Sequence, residues 1–123
     1  MNIIIDTDIF LWALSNPSMI SDHRRSALED LSNTIYVCSI SIAELMIKNS
    51  IGKLRIDFNP VDIDRESGFS LLSFSAEAAL LLKEMPFYHK DPFDRMLIAQ
   101  SLTENYPIMT DDPKIAQYNC KIL

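Results

Sequence analysis

The chain has 123 residues, of which 48% are hydrophobic and 23% charged, and its formal net charge is −6. This composition excludes disorder, and the length lets one globular domain, over residues 1–123, bury a core without a metal or disulfide staple. The acidic balance argues against binding to nucleic acid over a broad basic surface, but it allows a local basic rim around an acidic centre.

The cysteines and the apolar segments indicate where in the cell the protein is expected to lie. Cys38 and Cys120 form no C-x-x-C pair, so neither a disulfide framework nor a zinc site is indicated, and a reducing environment fits best. The N-terminus lacks the features of a signal peptide, and no apolar stretch approaches the ~20 residues of a membrane span. We therefore expect a soluble cytoplasmic protein with no membrane partner.

The first third of the chain alternates short apolar runs with helical spacing. A β-branched run over residues 3–5 predicts a buried strand that ends at Asp6. Helical spacing follows over residues 8–14 and 23–31, the second helix capped by a residue at 21 or 22. A second strand is predicted over residues 34–38.

The middle of the chain continues this alternation. A helix is predicted from Ser41, with Gly52 as its stop, and a connecting segment follows. A third strand is predicted over residues 69–72. Ser75 then caps a strong helix that Pro86 ends.

The last third of the chain begins with the pair Asp91-Pro92, an N-cap and a first-turn proline that open a helix running to Leu102. A fourth strand is predicted over residues 107–109, a short helix after Asp112, and a terminal strand over residues 121–123. Strands that alternate with helices favour an α/β domain with a mostly parallel sheet.

Acidic residues stand where such a sheet would place a site. Parallel sheets bind ligands at the carboxyl ends of their strands. The acids at those ends are Asp6 and Asp8 after the first strand and Asp111 and Asp112 after the fourth, with Glu44, Asp91 and Asp94 in the first turns of two helices.

Most of these acids also have a structural interpretation. Ser41-x-x-Glu44 has the spacing of a capping box, in which Glu44 returns to the amide of the N-cap. Asp91 and Asp112 each precede a proline as N-caps do, and Asp94 would suit the helix dipole. Taken singly, these acids need no further role.

Asp6 differs because a carboxylate directly after a buried strand needs a partner, and no lysine or arginine lies near it in the sequence. A metal ion is the natural candidate. If Asp6, Glu44, Asp94 and Asp112 converge, their ordinary pKa values of about 4 give the site a charge close to −4. Oxygen ligands without histidine or cysteine select hard cations, so Mg²⁺ or Mn²⁺ would balance that charge.

Four short segments, in fixed order, are spread over nearly the whole length of the chain. They are residues 3–13 (IIIDTDIFLWA), 39–54 (SISIAELMIKNSIGKL), 89–100 (HKDPFDRMLIAQ) and 109–113 (MTDDP). The third is the most specific. Together they resemble the PIN domain, the nuclease family that includes the VapC-type toxins of type II toxin–antitoxin pairs.

The resemblance implies a fold and a set of site residues. The fold is a PIN-like, Rossmann-like parallel sheet of five strands flanked by helices. The catalytic and metal-binding acids carry over to Asp6, Glu44, Asp94 and Asp112, with Mg²⁺ or Mn²⁺ as the cofactor. Asp91 and Asp111 are the alternatives to Asp94 and Asp112, because each lies in the same motif as the acid it would replace. Thr7 and Thr110 are further candidates, as hydrogen-bond partners of a metal-bound water.

The same resemblance implies a metal-dependent endoribonuclease that forms a homodimer and binds a cognate antitoxin. The antitoxin would bring an arginine to the carboxylates, and residues 9–12 would offer it an apolar surface. One or two divalent ions would activate water and stabilise the leaving oxygen of an RNA phosphodiester. The basic residues available to guide the RNA backbone are Lys48, Lys53, Arg55, Lys90 and Arg95.

Two alternatives stay open. Asp6-Thr7-Asp8 is similar to the start of a haloacid dehalogenase motif, which would make Asp6 the nucleophile of a phosphatase. Phe10 stands where that motif has Thr or Val, and the chain is too short for the usual cap domain. A catalytically silent PIN-like interaction module is the other alternative, although it would normally have lost acids that are all present here.

Overall fold

The computed structural model describes residues 1–123 and contains four strands, Asn2–Ile5 (β1), Thr34–Cys38 (β2), Ser70–Leu72 (β3) and Ile108–Met109 (β4). They form one parallel sheet in the order β3-β2-β1-β4. The expected fifth strand is wrong: the end of the chain makes only a single parallel bridge, between Ile122 and Ile108. Since β4 is itself two residues long, its outer edge offers little ladder for a further strand.

Six helices and two 3₁₀ turns connect and flank the strands. The helices are Thr7–Ser15 (α1), Asp22–Glu29 (α2), Ser39–Ser50 (α3), Pro60–Glu66 (α4), Ala76–Leu81 (α5) and Pro92–Glu104 (α6), and the 3₁₀ turns are Pro17–Met19 and Ile115–Gln117. None of the helices has the length and apolar character needed to cross a bilayer.

Capping side chains fix several helix starts. The side chains of Ser21, Ser75 and Asp91 accept hydrogen bonds from the first-turn amides of α2, α5 and α6, as the sequence predicts. Asn59 does the same for α4, which lies in the segment expected to be only a connection. The pair Asn59-Pro60 carries the same helix-start signal as Asp91-Pro92.

The predicted start of α3 is wrong. The helix begins at Ser39, directly after β2, and Cys38 occupies its N-cap position without a side-chain hydrogen bond. Ser41 therefore lies inside the first turn and is fully buried, so it forms no capping box with Glu44. Because no loop separates β2 from α3, the strand sets the start of the helix, and this places Glu44 one turn further along it.

Separate apolar clusters cover the two faces of the sheet. Alternation along β1 sends Ile3 and Ile5 into one cluster and Ile4 into the other, and all three side chains are fully buried. The cluster around Ile4 contains Leu97 of α6, whereas the cluster around Ile3 and Ile5 contains Phe10 of α1. Cover on both faces explains why β1 is a continuous apolar run.

The sheet register brings distant parts of the sequence to one edge. Ile5 of β1 pairs with Met109 of β4, so the residues that follow, Asp6 and Thr110, leave the same edge side by side. β2 ends beside β1 at this edge and leads straight into α3, against which α6 packs. The carboxyl edge of β1 is thus where the acidic segments meet.

Candidate active site

A cavity of about 200 Å³ opens at the carboxyl edge of the sheet. Its lining contains no hydrophobic residue. The lining residues are Asp6, Thr7, Asp8, Glu44, Lys48, Asp91, Asp94 and Asp112. The four acids assigned to the site from the sequence therefore share one cavity, and Asp91 and Asp8 lie in it with them.

Asp6 is the most deeply placed acid of the cavity. It is the N-cap of α1: its Oδ1 accepts from the backbone N–H of Ile9 (2.9 Å), and its Oδ2 accepts from Thr110 Oγ1 (2.5 Å). The residue is 5% exposed, and burial raises its pKa to about 6 although both hydrogen bonds oppose the rise. No cation of the protein hydrogen-bonds to it.

Glu44 is held from two sides. Thr7 Oγ1 donates to its Oε1 (2.7 Å), and Lys48 Nζ, one turn further along α3, donates to its Oε2 (2.6 Å). The same Thr7 hydroxyl lies 3.0 Å from Ser41 Oγ, which explains why a serine is buried there. The hydrogen bond to Glu44 raises the pKa of Lys48, so this side chain carries a positive charge beside the acids.

The first turn of α6 supplies two acids in different roles. Asp91 Oδ1 caps the helix, accepting from the backbone N–H groups of Phe93 (2.8 Å) and Asp94 (3.2 Å). Asp94 projects into the cavity, where burial and the negative charge of Asp91 raise its pKa to about 7 against the opposing effect of His89. No backbone amide binds the Asp94 carboxyl, so it is freer than that of Asp91 to bind a ligand in the cavity.

The two consecutive acids after β4 separate. Asp112 lines the cavity, and its backbone N–H donates to Thr110 Oγ1 (3.0 Å) while its Oδ1 accepts from the backbone N–H of Lys114 (2.9 Å). Asp111 is half exposed outside the cavity, where it forms an ion pair with Arg24. Thr110, like Thr7, directs its hydroxyl to a carboxylate, that of Asp6.

Sequence reasoning gave no role to His89, yet its side chain reaches two of the acids. Its Nε2 lies 2.7 Å from Asp112 Oδ2 and 3.0 Å from Asp94 Oδ2. One potential ligand atom from each of these three residues falls within 4.8 Å of the others. The only signal was the position of His89 at the head of the most specific motif, because a histidine in a loop gives no spacing to interpret.

Arg95 was expected to guide RNA, and the structure shows that it does not face solvent. It is 6% exposed, and its guanidinium lies 4.1 Å from the centre of the Phe87 ring. It donates to the backbone carbonyls of Leu82, Met85, Pro86 and His89. Arg95 therefore fixes the loop before α6.

The other basic residues differ in their surroundings. Lys53 and Lys90 are exposed, and Arg55 pairs with Asp57 at the surface. Lys48 is the one that lines the acidic cavity.

The apolar surface expected over residues 9–12 is also wrong. Ile9 and Phe10 are fully buried in the core, where Phe10 meets Phe69 edge to face with ring centres 6.1 Å apart. Leu11 and Trp12 are half-buried against the same cluster. Since α1 follows a buried strand directly, its first apolar residues turn inward.

The chemistry of this lining fits a hard divalent cation. Six carboxylates face one ammonium group, and burial raises the pKa values of Asp6 and Asp94, with neighbouring acids adding to the rise. A cation would stabilise their ionised forms. Carboxylate oxygens are the ligands that Mg²⁺ and Mn²⁺ prefer.

The PIN domain family model matches residues 3–119 of the chain. The chain belongs to the PIN domain family. The sheet, the helices on both of its faces and the acidic edge thus describe a PIN domain with four strands. No curated protein matches the chain in sequence.

Solved structures similar to this PIN domain include three VapBC complexes. VapBC2 from Rickettsia felis, bound to a promoter DNA fragment, has 22% identity and a TM-score of 0.76 over 100% of this chain and 98% of that one. DNA-bound VapBC from Salmonella typhimurium has 16% identity and a TM-score of 0.69 over 100% and 97%. VapBC-1 from nontypeable Haemophilus influenzae has 19% identity and a TM-score of 0.66 over 100% and 97%. These similarities establish a shared fold.

Proposed function

We propose that residues 1–123 form a single nuclease domain, a metal-dependent endoribonuclease that acts as the toxin of a type II toxin–antitoxin pair. The observation that carries this proposal is the cavity lined by six carboxylates and no apolar side chain, at the carboxyl edge of a PIN sheet. Such a lining suits a hydrated cation and a phosphate, and it offers nothing to an apolar ligand.

Asp6, Glu44, Asp94 and Asp112 are the residues that would hold Mg²⁺ or Mn²⁺. When bound, the metal would activate water and stabilise the charge that develops on a scissile phosphate. The protein orients these acids in advance: the amide of Ile9 and the hydroxyl of Thr110 fix Asp6, and the hydroxyl of Thr7 fixes Glu44.

Lys48 supplies the positive charge at this site. Its ammonium group binds Glu44 and lines the cavity, where it is placed to donate to a phosphate oxygen of the RNA backbone. No side chain acts as a covalent nucleophile in this scheme.

The proposed partner is a cognate antitoxin, bound by a homodimer of this chain. The VapBC structures that share the fold motivate this part of the proposal. An arginine from the antitoxin would fit the acidic cavity, because a guanidinium pairs with carboxylates in two-point geometry and would compete with a metal.

Cleavage of a random-sequence RNA library by the purified protein tests the activity. We expect cleavage with Mg²⁺ or Mn²⁺, none with EDTA, and a loss of at least about 100-fold in the Asp6→Asn variant. Asp111→Asn is the matched control, since it removes a neighbouring acid outside the cavity and should cleave at the wild-type rate. Metal-independent cleavage, or full activity in Asp6→Asn, would contradict the proposal.

Expression in bacteria separates the alternatives. A toxin should arrest growth, the Asp6→Asn variant should not, and the adjacent antitoxin reading frame should relieve the arrest. A chain that neither arrests growth nor cleaves RNA would support the silent interaction module. Release of phosphate from p-nitrophenyl phosphate without RNA cleavage would support the phosphatase with Asp6 as nucleophile.

A further inference from the structure

The imidazole of His89 makes contacts through both of its nitrogens. Its Nδ1 lies 3.1 Å from the backbone nitrogen of Asp91. Its Nε2 points the other way, to Asp112 Oδ2 at 2.7 Å and Asp94 Oδ2 at 3.0 Å. The ring thus bridges the start of α6 and two acids of the cavity.

The contact at Nδ1 fixes the tautomer. A backbone N–H can only donate, so Nδ1 must offer its lone pair to Asp91. A neutral imidazole then carries its single proton on Nε2, and this N–H donates to Asp94 and Asp112. An Nε2 that bears a proton has no lone pair for a metal, although histidine is a common metal ligand.

The backbone of His89 is anchored independently of the ring. Its N–H donates to the Tyr118 hydroxyl (3.0 Å), and its carbonyl accepts from Arg95 (3.3 Å). The Tyr118 hydroxyl in turn donates to the carbonyl of Pro86 (2.6 Å). These bonds join the loop before α6 to Tyr118 near the end of the chain, and they fix the backbone from which the ring projects.

We propose that His89 is a positioning residue of the nuclease site, which holds Asp94 and Asp112 together through one shared Nε2–H donor and does not itself bind the metal. The proposal rests on the proposed function, because it treats these two acids as metal-binding groups. Without this donor, the carboxylates of Asp94 and Asp112, which have oxygen atoms within 4.8 Å of each other, would repel one another. With His89 acting only as a donor, the centre presents oxygen ligands alone, as Mg²⁺ and Mn²⁺ prefer.

The tautomer is measurable in the wild-type protein without metal. The chain has two histidines, and His23 is exposed, so it serves as an internal reference. Long-range ¹H–¹⁵N correlation spectra should show His89 with its proton on Nε2, with the signal assigned by its loss in a His89→Gln variant. A proton on Nδ1 would overturn the positioning role whatever the activity of the protein.

Mn²⁺ alone is the probe for ligation. Electron spin echo envelope modulation of the Mn²⁺-loaded wild type should show no nitrogen coupling from a histidine. A directly bound ¹⁴N would overturn the proposal. If wild-type protein binds no Mn²⁺ at all, the proposed nuclease function fails instead, and the tautomer measurement still decides which contacts His89 makes.

Two substitutions separate positioning from a merely structural role. His89→Gln keeps an N–H donor near the place of Nε2, whereas His89→Leu removes it. Loss of a residue that orients metal ligands typically weakens metal affinity by about 10–100-fold. We expect that loss of Mn²⁺ affinity in His89→Leu, recovery to within about threefold of wild type in His89→Gln, and no change in the surface control His23→Gln. Equal weakening in both His89 variants, measured by calorimetry on folded protein, would contradict the proposal.

Discussion

Two carboxyl groups with pKa values raised to about 6 stand in different surroundings. Asp6 belongs to the acidic cavity, and each of its oxygens accepts a hydrogen bond. Asp64 of α4 is fully buried away from the cavity, and neither of its oxygens has a hydrogen-bond partner. Burial raises the pKa of Asp64 against the opposing charge of Arg65. The ionised Asp64 side chain therefore lowers the stability of the fold, because no hydrogen bond compensates its burial.

Asp64→Asn should stabilise the protein at alkaline pH. A carboxyl group with a raised pKa binds its proton more tightly in the folded state, so its contribution to stability falls as pH rises from 3.8 to about 6 and stays low above that. The variant should gain about 1–3 kcal/mol over wild type at pH 8 and much less at pH 4. Urea unfolding in EDTA at both pH values measures this. An equal difference at the two pH values would contradict the assigned cause.

Mn²⁺ binding should weaken in acid. A divalent ion displaces protons from its ligands, and the raised pKa values of Asp94, about 7, and Asp6, about 6, place that competition just below neutral pH. We expect at least about a tenfold loss of affinity between pH 7.5 and pH 5.5, with proton release on binding, by calorimetry. The Asp64→Asn variant should behave identically, because residue 64 lies outside the cavity. Affinity independent of pH would exclude Asp6 and Asp94 as ligands.

At the scale of single elements, α6 and the loop before it form one unit. Arg95, in the first turns of α6, donates to four carbonyls of that loop and lies against the Phe87 ring. The loop carries His89, so a residue expected to contact RNA instead fixes the wall of the site. A buried guanidinium is suited to this task because its planar fork serves several acceptors at once.

Arg95→Met should destabilise the fold strongly. The change leaves buried carbonyl groups without donors, at about 1–3 kcal/mol each, so a loss of about 3 kcal/mol or more is expected. Arg95→Lys is the matched variant: it keeps the charge but not the fork, and it should recover only part of the loss. Urea unfolding monitored by circular dichroism gives both values. Full stability in the lysine variant would show that charge alone matters.

The elements themselves were largely predictable from the sequence. Alternating apolar runs and helix caps located β1, β2 and most helices, because those signals are local. The start of α3 was missed since the strand before it, not a cap, determines where it begins. The prediction of a fifth strand was wrong because strand pairing depends on the sheet edge, where only Ile122 forms a bridge, to Ile108.

The candidate site was also predictable where its signals are local and not where they join distant parts of the chain. The motifs pointed to four acids that the structure collects in one cavity, and they left Asp111 open as an alternative to Asp112. In the structure Asp111 lies outside the cavity and pairs with Arg24, a residue 87 positions away that no local motif relates to it. The contacts of His89 likewise join parts of the chain that no local spacing relates.

At the scale of the whole molecule, the cavity concentrates six carboxylates in a protein whose net charge is already −6. Like charges held together by the fold repel one another, and the unfolded chain relieves that repulsion. A divalent ion that binds only the folded state would therefore stabilise the entire domain, since the acids come from both ends and the middle of the sequence.

Mn²⁺ should raise the melting temperature of wild-type protein. At a free concentration 100-fold above the dissociation constant, a single site adds about 2.7 kcal/mol to the stability of the folded state. The Asp6→Asn/Asp94→Asn double variant should show no Mn²⁺-dependent shift, whereas Asp111→Asn should keep the full shift. Differential scanning fluorimetry with and without Mn²⁺ compares the three proteins. A shift of equal size in the double variant would mean that the ion binds elsewhere.

The order of the strands also determines when the cavity is completed during synthesis. β1 is synthesised first and can pair with β2 early, but its other edge has no partner strand until β4 is made. Asp6 likewise lacks the hydrogen bond from Thr110, which lies 104 positions later in the chain. A nascent chain can therefore fold much of one side of its sheet while Asp112 and the Thr110 hydroxyl that binds Asp6 are still absent. The acidic cavity is therefore completed only when the last part of the chain has been made, so a chain that ends before Thr110 would have an incomplete cavity.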